Sequence, residues 1–300
     1  MTVPSPGDPL GLDAPARKAA PVVLDPGTAP AAAFVAVATE CADHWRANEA
    51  LLVGTRAAPH LHQTRVGIRR LRSAFSIFRP VLRDGPAARA VVHRLRGLAL
   101  PLGPARDLDV LLSGPLGAGL TDRQRARLLE DREGAYDAVL AVIRSPEWAA
   151  AGHDLDGLLA AAATWSDTGD LVTLARSTLA RRADRVTGAD GRLPGMSPAD
   201  RHAVRIEAKK LRYGSEFLGA LFDADEPRIA DDGGELVGAA AYARLAEDVQ
   251  TALGALNDHA TADSLLHRVG AHAPDVDEAA LLAEGVAAVH RLAEARRFWT

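Results

Sequence analysis

The chain has 300 residues, 48% of them hydrophobic, 25% charged and only 4% aromatic, with a formal net charge of −4. That length supports one large domain or two modest ones, and the shortage of aromatic residues suits closely packed helices. A lone Cys41 excludes an intramolecular disulfide, no run approaches the ~18 apolar residues of a membrane span, and no signal-peptide pattern opens the chain, so a cytoplasmic protein is expected.

Residues 1–30 carry seven prolines and little periodicity, and read as a mostly disordered lead-in. A first helix is predicted from Ala31 to Val53, punctuated by Gly54 and Pro59. The next runs from His60 to Leu82, with Pro80 bending or ending it. Asp84-Gly85-Pro86 marks a turn, and a third helix spans Ala87 to Leu100. Pro101, Gly103 and Pro104 break the pattern before a helical segment opens at Arg106. Thr121-Asp122-Arg123-Gln124 has the capping-box pattern and starts a long helix that ends near Ser145-Pro146. Shorter helices fit Trp148–Trp165 and Asp170–Thr187. Ser197-Pro198 supplies an N-cap and a first-turn proline for a helix that reaches Phe222. Residues 223–234 form an acidic, Gly-rich linker, and helices over Glu235–Leu256, Asn257–Val269 and Ala279–Trp299 complete the chain. No window alternates with period two, so the fold class is all-α.

Two of these helices carry the same motif 140 residues apart. His62-x-x-Arg65-x-x-x-Arg69-Arg70-Leu71-Arg72 recurs as His202-x-x-Arg205-x-x-x-Lys209-Lys210-Leu211-Arg212. Leu102-Gly103-x-x-Arg106-Asp107 is echoed by Leu253-Gly254-x-x-Asn257-Asp258, in each case after the basic helix. The repeat predicts two similar halves, about 31–165 and 166–299. At about 100° per residue, His62, Arg65, Arg69 and Arg72 share an arc of roughly 80°, with Ile68, Leu71, Phe75 and Phe78 opposite. Each helix is therefore anchored by an apolar face and displays a cationic stripe.

Charge follows the repeat. Residues 56–106 hold eleven Arg and one acid, and residues 176–212 hold ten Lys or Arg and four acids. Like charges three and four residues apart weaken a helix, so a stripe of one sign points to an external anion. Arginine grips phosphate oxygens bidentately, and histidine adds a donor that strengthens on protonation. A long polyanion would bind such a groove by displacing counterions. Aromatic side chains interleaved for stacking on bases are lacking, which makes nucleic acid the weaker candidate.

Around the two motifs, Arg94, Arg96 and Arg106 either extend the groove or pair with acids such as Asp107 and Asp109. Arg181 and Arg182 hold the corresponding place before the second motif. A metal at His62 or His202 is disfavoured by the surrounding cations. Asp107 and Asp258 read as helix N-caps. Trp45, Trp148, Trp165, Trp299 and Cys41 read as packing residues. No phosphate-binding loop or hydrolase motif is present, so binding without turnover is expected, with no catalytic residue, metal or cofactor assigned.

The paired basic helices and their Leu-Gly-x-x-(Arg/Asn)-Asp echoes resemble the CHAD family, the conserved histidine α-helical domain, over roughly residues 30–299. The resemblance implies two pseudo-symmetric four-helix bundles with a basic groove between them that binds inorganic polyphosphate, and association with polyphosphate granules. The Glu-x-Glu-x-Lys signature of the triphosphate-tunnel domain that some members carry is absent. On the matching positions, His62, Arg65, Arg69, Arg70, Arg72, His202, Arg205, Lys209, Lys210 and Arg212 become the expected contacts, with Arg94, Arg96, Arg106, Arg181 and Arg182 beside them. The alternatives are nucleic-acid or nucleotide phosphate binding and a metal-dependent phosphohydrolase. Oligomeric state is left open.

Overall fold

A computed structural model of the chain describes residues 8, 10–82, 85–166, 169–222 and 238–300. Among these residues the secondary structure is entirely helical. Four helices close into a ring: α1 (Pro30–Thr55), α2 (Ala58–Ile77), α4 (Pro86–Ala99) and α8 (Pro146–Ala162). Between α2 and α4 lies the short α3 (Arg79–Leu82). Inserted between α4 and α8 are α5 (Gly103–Ser113), the short α6 (Pro115–Ala118) and α7 (Asp122–Ile143). A second ring joins α9 (Leu171–Thr187), α10 (Pro198–Leu218), α11 (Gly238–Ala252) and α13 (Glu278–Glu294). Its insertion, α12 (Ala255–His267), precedes the fourth helix, as α5–α7 do in the first. Both Leu-Gly echoes therefore fall at the start of an insertion.

One apolar core runs through both rings, from Phe34, Leu61 and Phe78 to Leu211, Phe217 and Trp299. Small residues let the helices close up. A Cβ at Gly67 would sit 2.7 Å from the Trp45 backbone, so only glycine permits this approach of α2 to α1. At Gly214 a Cβ would meet Leu179 at 3.2 Å and Ile77 at 3.7 Å, where α10 passes α9 and α2. The α2–α10 contact is the joint between the rings.

Several expected boundaries shift for local reasons. The first motif helix ends at Ile77, because Pro80 cannot donate a hydrogen bond and its ring would strike the Ser76 carbonyl. The chain restarts as α3 with Pro80 in its first turn. The Thr121 capping box forms as expected, with Thr121 Oγ1 accepting from Gln124 N–H and Gln124 Oε1 accepting from Thr121 N–H. The last helix stops at Glu294, short of Trp299. The expected linker at 223–234 lies outside the described residues.

The lead-in is a correction. Residues 10–29 are an extended strap laid on α1 and α2, with Leu10 and Leu24 buried. Buried Asn48 accepts from Arg17 N–H at 3.1 Å and donates to Arg17 carbonyl at 2.9 Å, as a neighbouring strand would. Glu40 accepts from Ala20 N–H at 2.7 Å. Side chains of α1 satisfy the extended backbone, a pairing that composition does not reveal.

Candidate anion-binding site

The two motif helices converge. Arg69 Nε on α2 donates to Tyr213 Oη on α10 at 2.8 Å. Lys209 lies close enough to Arg69, Arg205, Arg72 and Arg65 to feel all four charges. Burial and those neighbours push its ammonium down to about 8. Burial and then Arg106, Arg69 and Arg65 push His62 down to about 4. His62 is consequently neutral at neutral pH, and the donor expected from its protonation requires an anion to be present.

Six of the gathered cations have no carboxylate oxygen within 4.0 Å among the described residues: Arg65, Arg69, Arg72, Arg96, Arg106 and Lys209. Arg72 Nε is in addition a buried donor without a hydrogen-bond partner among the described residues. Burial, followed by the nearby Arg96, holds Arg72 below its ordinary value. Arg65 and Arg106 are lowered chiefly by burial as well.

Three hollows follow the stripe of α2. The first, of about 510 Å³, is lined by His62, Arg65 and Arg69 of α2, Arg106 and Asp107 of α5, and Asn257, Asp258 and His259 of α12. A second, of about 490 Å³, gathers Ser76, Arg79, Arg181, Arg182, Arg185 and Lys210. A third, of about 360 Å³, shares Ser76 and Arg79 and adds Arg72, Arg89, His93 and Arg96. The α2 stripe thus continues past Arg72 through Ser76 to Arg79.

Matching contacts hold the two motif arginines. Arg65 Nη1 donates to Ala99 carbonyl at 3.4 Å, and Arg205 Nε to Gln250 carbonyl at 3.2 Å. Each acceptor stands four residues before the glycine of its Leu-Gly echo. Each guanidinium also lies over that glycine: a Cβ would come within 3.8 Å of Arg65 at Gly103 and about 2.6 Å of Arg205 at Gly254. A side chain at Gly254 would crowd the Arg205 guanidinium, whereas one at Gly103 would meet Arg65 at ordinary contact distance.

A buried network fixes α5. Arg132 Nε and Tyr136 Oη both donate to Asp109, each at 2.7 Å, and Arg132 Nη2 reaches Arg56 carbonyl at 2.9 Å. Arg56 itself has a left-handed φ of 52°, where α1 turns into α2. These bonds tie α5 and α7 to the α1–α2 corner and so orient Arg106.

Not every expected contact faces the groove. Arg70 is buried, pairs with Glu216, lies 3.7 Å from Glu40 and stacks over Phe217. Arg212 is held by Glu216 at 3.0 Å and Glu247 at 2.6 Å. Arg94 pairs with Asp154 at 3.2 Å and lines none of the three hollows. His202 is exposed and lines none of them either. Arg205 has Asp258 at 3.8 Å, and Glu207 holds both Lys210 and Arg182 at 2.7 Å. Arg181 lines the second hollow without a carboxylate within 4.0 Å among the described residues.

Three further corrections concern single residues. Asp107 and Asp258 are not N-caps: Leu102 and Gly254 occupy those positions, and both acids sit one turn inside their helices, on the wall of the first hollow. Burial raises Asp107, with Arg65 opposing and Asp258 reinforcing the shift. Trp165 is 36% exposed, unlike the buried Trp45, Trp148 and Trp299. Arg79, Arg185, Asn257 and His259 line hollows but are not among the expected contacts. Arg79 had a signal, since it stands fourteen residues after Arg65 on the same stripe, but Pro80 obscured it.

Residues 36–267 match the family model described as CHAD domain. The chain belongs to the CHAD family. Among solved structures, the CHAD domain from the plant Ricinus communis matches with a TM-score of 0.69 and 24% identity, covering 93% of this chain and 89% of that one. At that identity the likeness establishes the shared CHAD fold. None of the curated proteins matches the chain. Among the described residues, no helix is long and apolar enough to cross a membrane.

Proposed function

We propose that this CHAD protein binds inorganic polyphosphate without hydrolysing it and is thereby targeted to polyphosphate granules in the cytoplasm. The observation that carries this reading is the gathering of Arg65, Arg69, Arg72, Arg96, Arg106 and Lys209 with no carboxylate within 4.0 Å among the described residues. Half-buried like charges repel, and a phosphate chain supplies the missing counter-charge in many oxygens at once. Six displaced counterions predict a log–log salt slope of about −4, using the single-strand coefficient.

Nucleic acid is the weaker candidate because stacking surfaces are scarce. The Tyr213 hydroxyl accepts from Arg69, and its ring stacks on Phe217. Phe75 is the one Phe, Tyr or Trp lining the three hollows. Competition decides between them. Labelled long-chain polyphosphate should stay bound when duplex DNA or RNA is added at equal phosphate concentration, and displacement refutes the proposal. Hydrolysis has one observation in its favour, the carboxylates of Asp107 and Asp258 on the wall of the first hollow. Polyphosphate incubated with the protein and Mg²⁺ should release no orthophosphate; release that disappears in Asp107→Asn would establish an enzyme instead.

A further inference from the structure

A second cluster lies at the far end of α12, outside the groove. Asp263, His267 and His272 each present a ligand atom, and these atoms all lie within 4.8 Å of one another. The backbone builds this arrangement. Asp263 and His267 stand four residues apart on one face of α12. The helix then closes with Ala271 N–H donating to Leu266 carbonyl at 3.0 Å and Gly270 N–H to His267 carbonyl at 3.1 Å. Gly270 takes the left-handed φ of 70° that this closure requires. The chain doubles back, and the His272 ring meets the His267 ring edge-on with centroids 4.2 Å apart.

The carboxylate is oriented from behind. Asp263 Oδ1 accepts from Ala273 N–H at 2.8 Å, while Oδ2 stands 3.8 Å from His267 Nδ1. A backbone bond to one carboxylate oxygen fixes the direction of the other, as outer partners do in metal sites. Arg268 is drawn away to Asp131 at 2.8 Å.

We propose that Asp263, His267 and His272 form a site for one divalent transition-metal ion, Zn²⁺ by preference. Two imidazoles and a carboxylate are the donor set that zinc accepts, with water in the remaining position. None of the three residues lines a hollow that holds the groove cations, which would repel a metal. The turn after α12 packs Val269, Ala271 and Ala273 against a small core that includes Leu108, Leu128 and Leu266. A bound ion would clamp that turn to its helix. The return of His272 to His267 depends on the positive φ of Gly270, which spacing along the chain does not reveal.

The test uses tag-free full-length protein, stripped with chelator and titrated with Zn²⁺ and separately with Co²⁺. One ion should bind per chain, with hydrogen exchange at residues 268–274 slowed on binding. His267→Ala/His272→Ala should weaken affinity at least about 100-fold, since losing a partner that only orients a ligand already costs about 10–100-fold. His153→Ala, an exposed histidine of α8, should leave affinity unchanged. Absence of stoichiometric binding, or binding that survives the double substitution with circular dichroism unchanged, overturns the proposal. If the double variant unfolds, Asp263→Asn serves in its place and must lower affinity for the proposal to stand.

Discussion

The two basic helices share a motif but differ in how their charges are balanced. On α2, the positions corresponding to Glu207 and Glu216 of α10 are Gly67 and Ser76. Gly67 is spent on the close approach to α1, and Ser76 accepts Arg182 Nη2 at 2.8 Å through its hydroxyl. On α10, Glu207 holds Lys210 and Arg182, while Glu216 holds Arg212 and Arg70. The first helix therefore presents open cations, and the second presents Lys209 amid cations that its own acids have partly neutralised. An identical motif does not deliver an identical field, because the positions between the motif residues decide which cations stay available.

The largest test of this contrast removes each stripe in turn. Arg65→Ala/Arg69→Ala/Arg72→Ala should weaken polyphosphate binding about 1,000-fold, taking roughly 1.5 kcal/mol per charge-assisted hydrogen bond lost. Arg205→Ala/Lys209→Ala/Arg212→Ala should cost about ten-fold less in affinity, because Arg212 is already bridged. Equal losses, by fluorescence anisotropy with helicity unchanged, would break the comparison.

Stability should reverse the order. Glu216→Gln leaves buried Arg70 with Glu40 at 3.7 Å as its remaining carboxylate and should cost about 3 kcal/mol in chemical denaturation. Ser76→Ala, at the matching position, should cost about 1 kcal/mol, the worth of an ordinary hydrogen bond. Gly67→Ala drives a methyl into the Trp45 backbone and should cost about 1–3 kcal/mol, as overpacking does. Glu207→Gln, its counterpart, should instead release Lys210 and leave buried Arg182 held by Ser76, lowering stability without overpacking the helices.

The smallest effect is a pH dependence that sharpens the role of α10. Lys209 falls from 10.5 to about 8 in the free protein. Between those values the unfolded chain binds more protons than the folded one, so Lys209 contributes stability that rises with pH across this window. Polyphosphate prefers the protonated ammonium, so affinity should decline several-fold as pH rises above about 8. Lys209→Arg should flatten that decline, measured by titration at constant ionic strength.

Much of this architecture could be read without coordinates. Helical periodicity, the Thr121 capping box and the repeated motif gave an all-α chain with two basic helices. The strap of residues 10–29 was hidden, since its order comes from Asn48 and Glu40 rather than from its own residues. Arg70 read as a ligand contact because the motif repeats there, yet it lies on the side of α2 that meets Glu216. Asp107 and Asp258 read as caps because they follow breaks, yet their helices begin earlier, at Gly103 and Ala255.

The amino-acid order determined which helices form, which faces are apolar and where positive charge is concentrated, because each depends on neighbours within a few turns. Which cations keep their charge unmatched, and which are consumed in holding the rings together, was decided only by folding. Guanidinium groups cannot distinguish a phosphate from a carboxylate by chemistry alone. Their fate depends on which acids the packing of α2 against α10 brings within reach.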